Sequence, residues 1–213
     1  QFGGKLKAFV SGGGALDQKI GEFLNAIGLP TLQGYGLTET SPVVSCNIPD
    51  WLKLTAEGRL KEAYELSQST NNMPEVCGRI CPQDRLCEGN CVIEQSGHGT
   101  VTIGSIEKYI TDTAWEKGWV KPLNITKELK QSIGIIGAGP AGLACAEELR
   151  KLGYQVTIYD RYDRPGGLLI YGIPNFKLEK FVVERRTKLL KDSGIKFVQN
   201  FEVGKDKTFN EIR

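Results

Sequence analysis

The chain has 213 residues, of which 40% are hydrophobic and 24% charged, with 27 Lys+Arg against 25 Asp+Glu. At about 150 residues per domain this is one to two domains, and a net charge of +2 excludes a strongly basic nucleic-acid binder and a charged disordered tail. The single histidine, His98, excludes a multi-histidine metal site and argues against a histidine-dependent triad.

Residues 1–47 are glycine-rich. Leu6–Val10 reads as a strand running into the turn Ser11-Gly12-Gly13-Gly14. From Ala15 to Ile27 the apolar positions 16, 20, 23, 24 and 27 describe one helical face that stops at Gly28, and Thr31–Tyr35 is a second short strand. Residues 48–128 are more polar and helical. Trp51–Leu66 reads as one helix, the following cysteine window as a loop, and Ile103–Trp119 as another helix, with Lys121–Gln131 as a linker.

Residues 129–213 alternate. Ser132–Ile136, Gln155–Tyr159 and Ile195–Val198 are strand-like, whereas Ala141–Leu152 and Leu178–Ser193 are helical. Strand, helix, strand in this order predicts a parallel sheet with crossover helices. The fold class expected is therefore mixed, with a short α/β piece first, a helical domain next, and an α/β Rossmann-like half domain last.

The longest mostly apolar run, Ile133–Ala146, is interrupted by Pro140 and falls short of the roughly 20 residues a bilayer span needs. No membrane or nucleic-acid partner is expected. The N-terminus, Gln1-Phe2-Gly3-Gly4-Lys5, has no initiator Met and no apolar signal core. It reads as the interior of something longer, kept in a reducing compartment, the cytoplasm.

Of six cysteines (Cys46, Cys77, Cys81, Cys87, Cys91, Cys145), four fall within residues 77–91 with the spacing C-x3-C-x5-C-x3-C. Thiolate ligation of iron–sulfur or of zinc is the leading reading. Disulfides and inert thiols are the alternatives. Pro82 directly after Cys81 leans toward iron–sulfur, because ferredoxin runs also place Pro after a ligand.

Gly137-Ala138-Gly139-Pro140-Ala141-Gly142 is G-x-G-x-x-G, lying after a predicted strand and opening a predicted helix. Gly137 permits the tight turn, Gly139 lets backbone N–H groups approach a diphosphate, and Gly142 lets the helix pack close on the sheet. The positive end of that helix faces the phosphates. Asp160 ends the next strand, where a carboxylate accepts from ribose hydroxyls. An ADP-containing dinucleotide is expected here. Its glycine neighbours are structural turns in the bland reading, and Asp160 a solvated strand-end acid.

With the cysteine window and the glycine fingerprint in hand, residues from about Ile48 to Arg213 resemble the small subunit family of NADPH-dependent glutamate synthase. The residues that carry this are Ile48-Pro49-Asp50-Trp51, Asn71-Asn72-Met73-Pro74-Glu75, Cys77-Gly78-Arg79-Ile80-Cys81-Pro82 and Leu86-Cys87-Glu88-Gly89-Asn90-Cys91, with Ile103-Gly104-Ser105-Ile106-Glu107 and Gly166–Pro174. The N-terminal part of dihydropyrimidine dehydrogenase is similar. The resemblance implies a helical domain with two [4Fe–4S] clusters, then FAD and NADPH domains, passing electrons from NADPH through FAD and clusters to the large subunit. It implies Cys81 and Cys87 as ligands of one cluster, Cys91 of the other, Glu107 as an oxygen ligand, and Cys77 as a bystander. It also implies FAD contacts from Gly137, Gly139, Pro140, Ala141, Gly142, Asp160, Arg161, Gly167 and Leu168, with Gly166-Gly167 favouring FAD over a nicotinamide cofactor. The family's upstream cysteine run is absent, Cys46 being a lone thiol, and so is its NADPH domain. An incomplete ligand set, and a chain without autonomous activity, are expected.

Residues 1–47 resemble AMP-forming acyl-CoA synthetases through Ser11–Leu16 and Gln33-Gly34-Tyr35-Gly36-Leu37-Thr38-Glu39-Thr40. That likeness implies adenine stacking by Tyr35, a phosphate contact from Thr38 and Mg²⁺ ligation by Glu39. The division expected is 1–47, 48–128 and 129–213, a fusion near Asn47 with poor packing of the first piece. A FAD-binding oxidoreductase fragment is the leading function. An adenylate-forming ligase fragment and a non-catalytic metal-binding or interaction module are the alternatives.

Overall fold

A computed structural model describes residues 50–89, 91, 94, 97 and 99–212, and as backbone strands alone residues 9–11, 31–35 and 45–46. The chain divides into two compact units, residues 1–71 with 84–101, and residues 72–83 with 102–213. Among the described residues no helix is long and apolar enough to cross a membrane.

In the first unit, β1 (Phe9–Ser11) pairs parallel with β2 (Thr31–Tyr35), and β2 pairs antiparallel with β3 (Ser45–Cys46). The strand expected at Leu6–Val10 thus starts later in what is described, and the one at Thr31–Tyr35 matches. The helix expected over Ala15–Ile27 lies outside the described residues, as does most of the segment expected to pack poorly. Trp51–Leu66 is two helices rather than one: α1 (Asp50–Ala56), burying Trp51 and Leu52, and α2 (Leu60–Gln68), burying Ala63, Tyr64 and Ser67. The break lies at Gly58, whose φ of 74° stops α1 in a left-handed turn. Gly58 N–H donates to Thr55 O (3.0 Å) and Arg59 N–H to Leu54 O (2.9 Å), the paired bonds that satisfy a helix's last carbonyls.

The second unit begins with α3 (Pro74–Ile80) and α4 (Ile103–Glu116), which pack together. Part of the cysteine window expected to be loop is therefore helix: Cys77 lies within α3 and Cys81 caps its C-terminus. Pro74 at the first helical turn gives up an N–H that no intrahelical acceptor would take. Then come β4 (Ser132–Ile136), α5 (Pro140–Lys151), β5 (Gln155–Tyr159), α6 (Leu168–Tyr171), α7 (Lys180–Asp192), β6 (Lys196–Val198) and α8 (Phe209–Ile212). The sheet order is β4-β5-β6, all parallel, with Ile133 opposite Val156 and Ile158 opposite Phe197.

Leu143 and Ala146 of α5, Val156 and Ile158 of β5, and Val182, Val183 and Leu190 of α7 share one core with Met73 and Val76. Leu143 and Ile158 are fully buried, each contributing about 1.5–3 kcal/mol by leaving water. The segment expected as a linker is an ordered strap on this unit. Leu123 N–H donates to Ser193 Oγ (3.0 Å), Leu129 N–H to Gly153 O (2.8 Å), and the Arg150 guanidinium holds Glu128 (2.9 Å through Nη1).

Candidate functional site

The site grows out of the C-terminal end of β4. Gly137 turns the chain with a φ of 103° and donates its N–H to Tyr159 O (2.8 Å), extending the β4–β5 ladder by one step. Gly139 follows as the N-cap of α5 and Pro140 as its first residue. Leu143 N–H returns to Gly139 O (2.9 Å), so the N–H groups of Ala141 and Gly142 belong to the helix's first turn, which has no intrahelical acceptor for them.

The three glycines are demanded for different reasons. A Cβ at Gly142 would lie 2.0 Å from Gly137 O: close packing forbids it. A Cβ at Gly137 or Gly139 meets nothing within 4 Å, so the bare backbone there fronts open space. Opposite stands a second glycine loop. Gly166 N–H donates to Ala138 O (2.7 Å), and a Cβ at Gly167 would lie 2.8 Å from Gly139 Cα. The two loops thus touch backbone to backbone.

Asp160 is buried at 8% exposure. One carboxylate oxygen accepts from Ala138 N–H and the other from Tyr162 N–H (2.8 Å), while its own N–H donates to Val198 O (2.9 Å). Each oxygen keeps a lone pair for a further donor. Arg161 is exposed, with its guanidinium 5.0 Å from the Tyr162 ring centroid and Nη2 3.1 Å from the Tyr162 hydroxyl. Leu168, at 72% exposure, is the first residue of α6.

Two stays of the second loop were not foreseen from sequence. The Tyr171 hydroxyl donates to Asp163 and accepts from Arg164 N–H (3.0 Å). Burial and that hydrogen bond raise the Tyr171 phenol above its ordinary pKa, and the same bond lowers the Asp163 carboxyl. Lys180 Nζ donates to Leu169 O (2.9 Å) and Ile173 O, capping the carbonyl end of α6. A cavity of about 280 Å³ near Pro165, Ile170 and Thr187 includes none of the residues of the first glycine loop.

The residues present fit a dinucleotide diphosphate: open glycine backbone, first-turn amides, and the Asp160 carboxylate, engaged by backbone N–H groups. Cys81 and Glu107 lie in the second unit, at the end of α3 and in α4, and Cys87 and Cys91 in the first. Among the described residues no three His, Cys, Asp or Glu side chains gather as a metal site, and none of Cys77, Cys81, Cys87, Cys91 and Cys145 is in a disulfide. For the N-terminal likeness, Tyr35 ends β2, and Thr38 and Glu39 lie outside the described residues.

Comparison with known proteins places these features. Residues 37–119 match the family model described as dihydropyrimidine dehydrogenase domain II, 4Fe-4S cluster. Residues 135–194 match the NAD(P)-binding Rossmann-like domain. The chain is 73% identical over 170 residues (80% of this chain, 35% of the relative) to the glutamate synthase [NADPH] small chain of Azospirillum brasilense. It is 52% identical over 165 residues (78% and 35%) to that of Escherichia coli K12. Against that of Bacillus subtilis it is 47% identical over 178 residues (84% and 35%). The chain spans about a third of the length of these relatives. It is a homologue of the glutamate synthase small chain, carrying a 4Fe-4S-type segment followed by a Rossmann-like one.

Proposed function

We propose that residues 133–167 bind FAD, and that the chain is a fragment of a flavin-dependent, iron–sulfur-type oxidoreductase of the glutamate synthase small-chain kind. The observation that carries this is the open backbone of Gly137 and Gly139 at the start of α5, faced by Gly167. When bound, FAD supplies the conversion between two-electron hydride chemistry and one-electron transfer.

This chain's own residues do the holding. The amides of Ala141 and Gly142 face the diphosphate, Asp160 accepts from the adenosine ribose hydroxyls, and Arg161, Gly167 and Leu168 line the approach. Pro140 sets the helix start. The three segments 1–47, 48–128 and 129–213 keep separate roles in this reading. Cys81, Cys87, Cys91 and Glu107 are cluster ligands in the longer relatives' setting, with NADPH as electron donor, a large subunit as acceptor and the cytoplasm as location. The ligase-like reading of residues 1–47 rests on its motifs alone, and no ATP–pyrophosphate exchange is expected.

The test is reconstitution of the purified full chain with FAD, followed by quenching of flavin fluorescence. Saturable, near-stoichiometric quenching is expected, weakened at least about tenfold, or 1.4 kcal/mol, by Asp160→Ala. Absence of quenching in the parent overturns the reading; unaltered affinity in the variant overturns the role of Asp160.

A further inference from the structure

Helices α3 and α4 fall inside the 4Fe-4S-type match and α7 inside the Rossmann-like one, yet all three belong to the same compact unit. Charge joins them. Arg186 of α7 and Glu75 of α3 are 2% and 0% exposed, and they meet in a two-pronged pair at 2.6 Å (Nε–Oε1) and 2.9 Å (Nη2–Oε2). Beside it, Arg79 of α3 reaches Asp112 of α4 and Glu179 at the start of α7, both at 2.8 Å. Arg185 binds the other oxygen of Asp112 at 2.6 Å. The Trp115 ring of α4 lies 4.9 Å from the Arg185 guanidinium and 5.8 Å from that of Arg186.

A buried ion pair adds little net stability over an apolar pair of the same shape, but losing one partner strands the other charge. Such a pair therefore fixes geometry more than it adds stability. α3 spans only Pro74–Ile80, too short to persist without tertiary support, and it ends on Cys81, whose N–H donates to Cys77 O (3.2 Å). On the other side, α7 packs against α6, the helix that Gly167 caps.

We propose that Glu75, Arg79, Asp112, Arg185 and Arg186 are positioning residues, a charged clasp that holds Cys81 in fixed register on the flavin-binding half of the chain. This deepens the functional reading given above and rests on it for the meaning of Cys81 as an electron-transfer ligand. The clasp itself is a property of this chain with or without a bound group.

The experiment uses the full chain and the variants Glu75→Gln, Arg79→Gln and the charge-swapped pair Glu75→Arg with Arg186→Glu. Peptide-resolved hydrogen exchange and iodoacetamide labelling of Cys81 are read together, with Cys145 of α5, which is exposed, as internal control. In Glu75→Gln, exchange over residues 74–80 and 103–116 and the labelling rate of Cys81 rise at least about tenfold. Over β4, β5 and α5, and at Cys145, the change stays below about twofold, and the swapped pair restores part of the protection. Arg79→Gln, with Glu75 and Arg186 intact, gives a smaller rise in the same places and covers the case in which Glu75→Gln does not fold. Uniform loosening of the whole unit, or unaltered Cys81 labelling in both single variants, overturns the proposal. FAD quenching measured on the same samples separates this outcome from failure of the flavin reading, because the clasp variants retain a parent-like flavin affinity if both hold.

Discussion

Gly139 and Gly142 stand three positions apart and refuse a side chain for opposite reasons. At Gly142 the obstacle is the protein itself, the carbonyl of Gly137 at 2.0 Å. Gly142→Ala should therefore lower unfolding stability by about 1–3 kcal/mol, the usual range for overpacking, and weaken flavin binding as a consequence. At Gly139 the protein leaves the space open. Gly139→Ala should leave the urea midpoint of the ligand-free chain unaltered while reducing FAD affinity at least about tenfold, or 1.4 kcal/mol. Equal stability losses in the two variants would contradict the cradle. Both glycines were legible in the sequence, because the fingerprint's requirements are local and set by spacing. The burial of Asp160 against Ala138 N–H was legible only in part. Its position was readable from the strand end, but its use as a backbone acceptor depends on how two loops meet.

At the scale of elements, the three strands and the helices α5 and α7 of residues 132–198 were readable because period and length agree with a parallel α/β unit, whereas the four-residue α6 is too short to show a period. Trp51–Leu66 was not readable either. Its apolar spacing fits one continuous helix, and Gly58 breaks it with a left-handed turn that apolar periodicity does not register. The clasp was invisible for another reason: Glu75 and Arg186 are 111 positions apart, and each alone reads as an ordinary helix-surface charge. Asp112 gives the clasp a pH signature. Burial pushes its carboxyl up, but hydrogen bonds from Arg185 and Arg79, with their charges, outweigh this and hold it below the ordinary carboxylate value. A group with a depressed folded pKa contributes stability above its unfolded pKa, about 3.9, and loses it as pH falls through the folded value. The parent should lose stability below about pH 4 more steeply than Asp112→Asn. At pH 7 the variant should be less stable by roughly 1–3 kcal/mol, because it weakens two arginine contacts. Urea titrations at pH 3, 4 and 7 check both statements, and parallel acid curves would remove Asp112 from the clasp.

For the whole molecule, the change in sequence texture near residue 128 follows composition, whereas the compact unit that holds the sheet also takes in residues 72–83 and 102–128. Composition reports local solvent preference, and compactness reports which surfaces meet. The cysteine window shows the same limit. Its spacing was plain, but its local structure was not: read as a loop, it places Cys77 within α3 and Cys81 at that helix's end, because α3 is held by tertiary contacts rather than by its own length.

The strap over residues 121–131 also follows from contacts between separate parts of the sequence. Its tether at Arg150 joins Glu128, Tyr154 O (3.1 Å) and Ser193 O (2.9 Å) in one buried guanidinium. A protease must draw a stretch of chain into an extended, detached form before it can cut, so susceptibility follows local release rather than side-chain exposure. Lys127 and Lys130, although exposed, should resist brief trypsin digestion of the parent and become early cleavage points in Arg150→Met, as read by mass spectrometry of the fragments. Between the segments that match two separate families, the tether makes the connecting stretch a nick-resistant join.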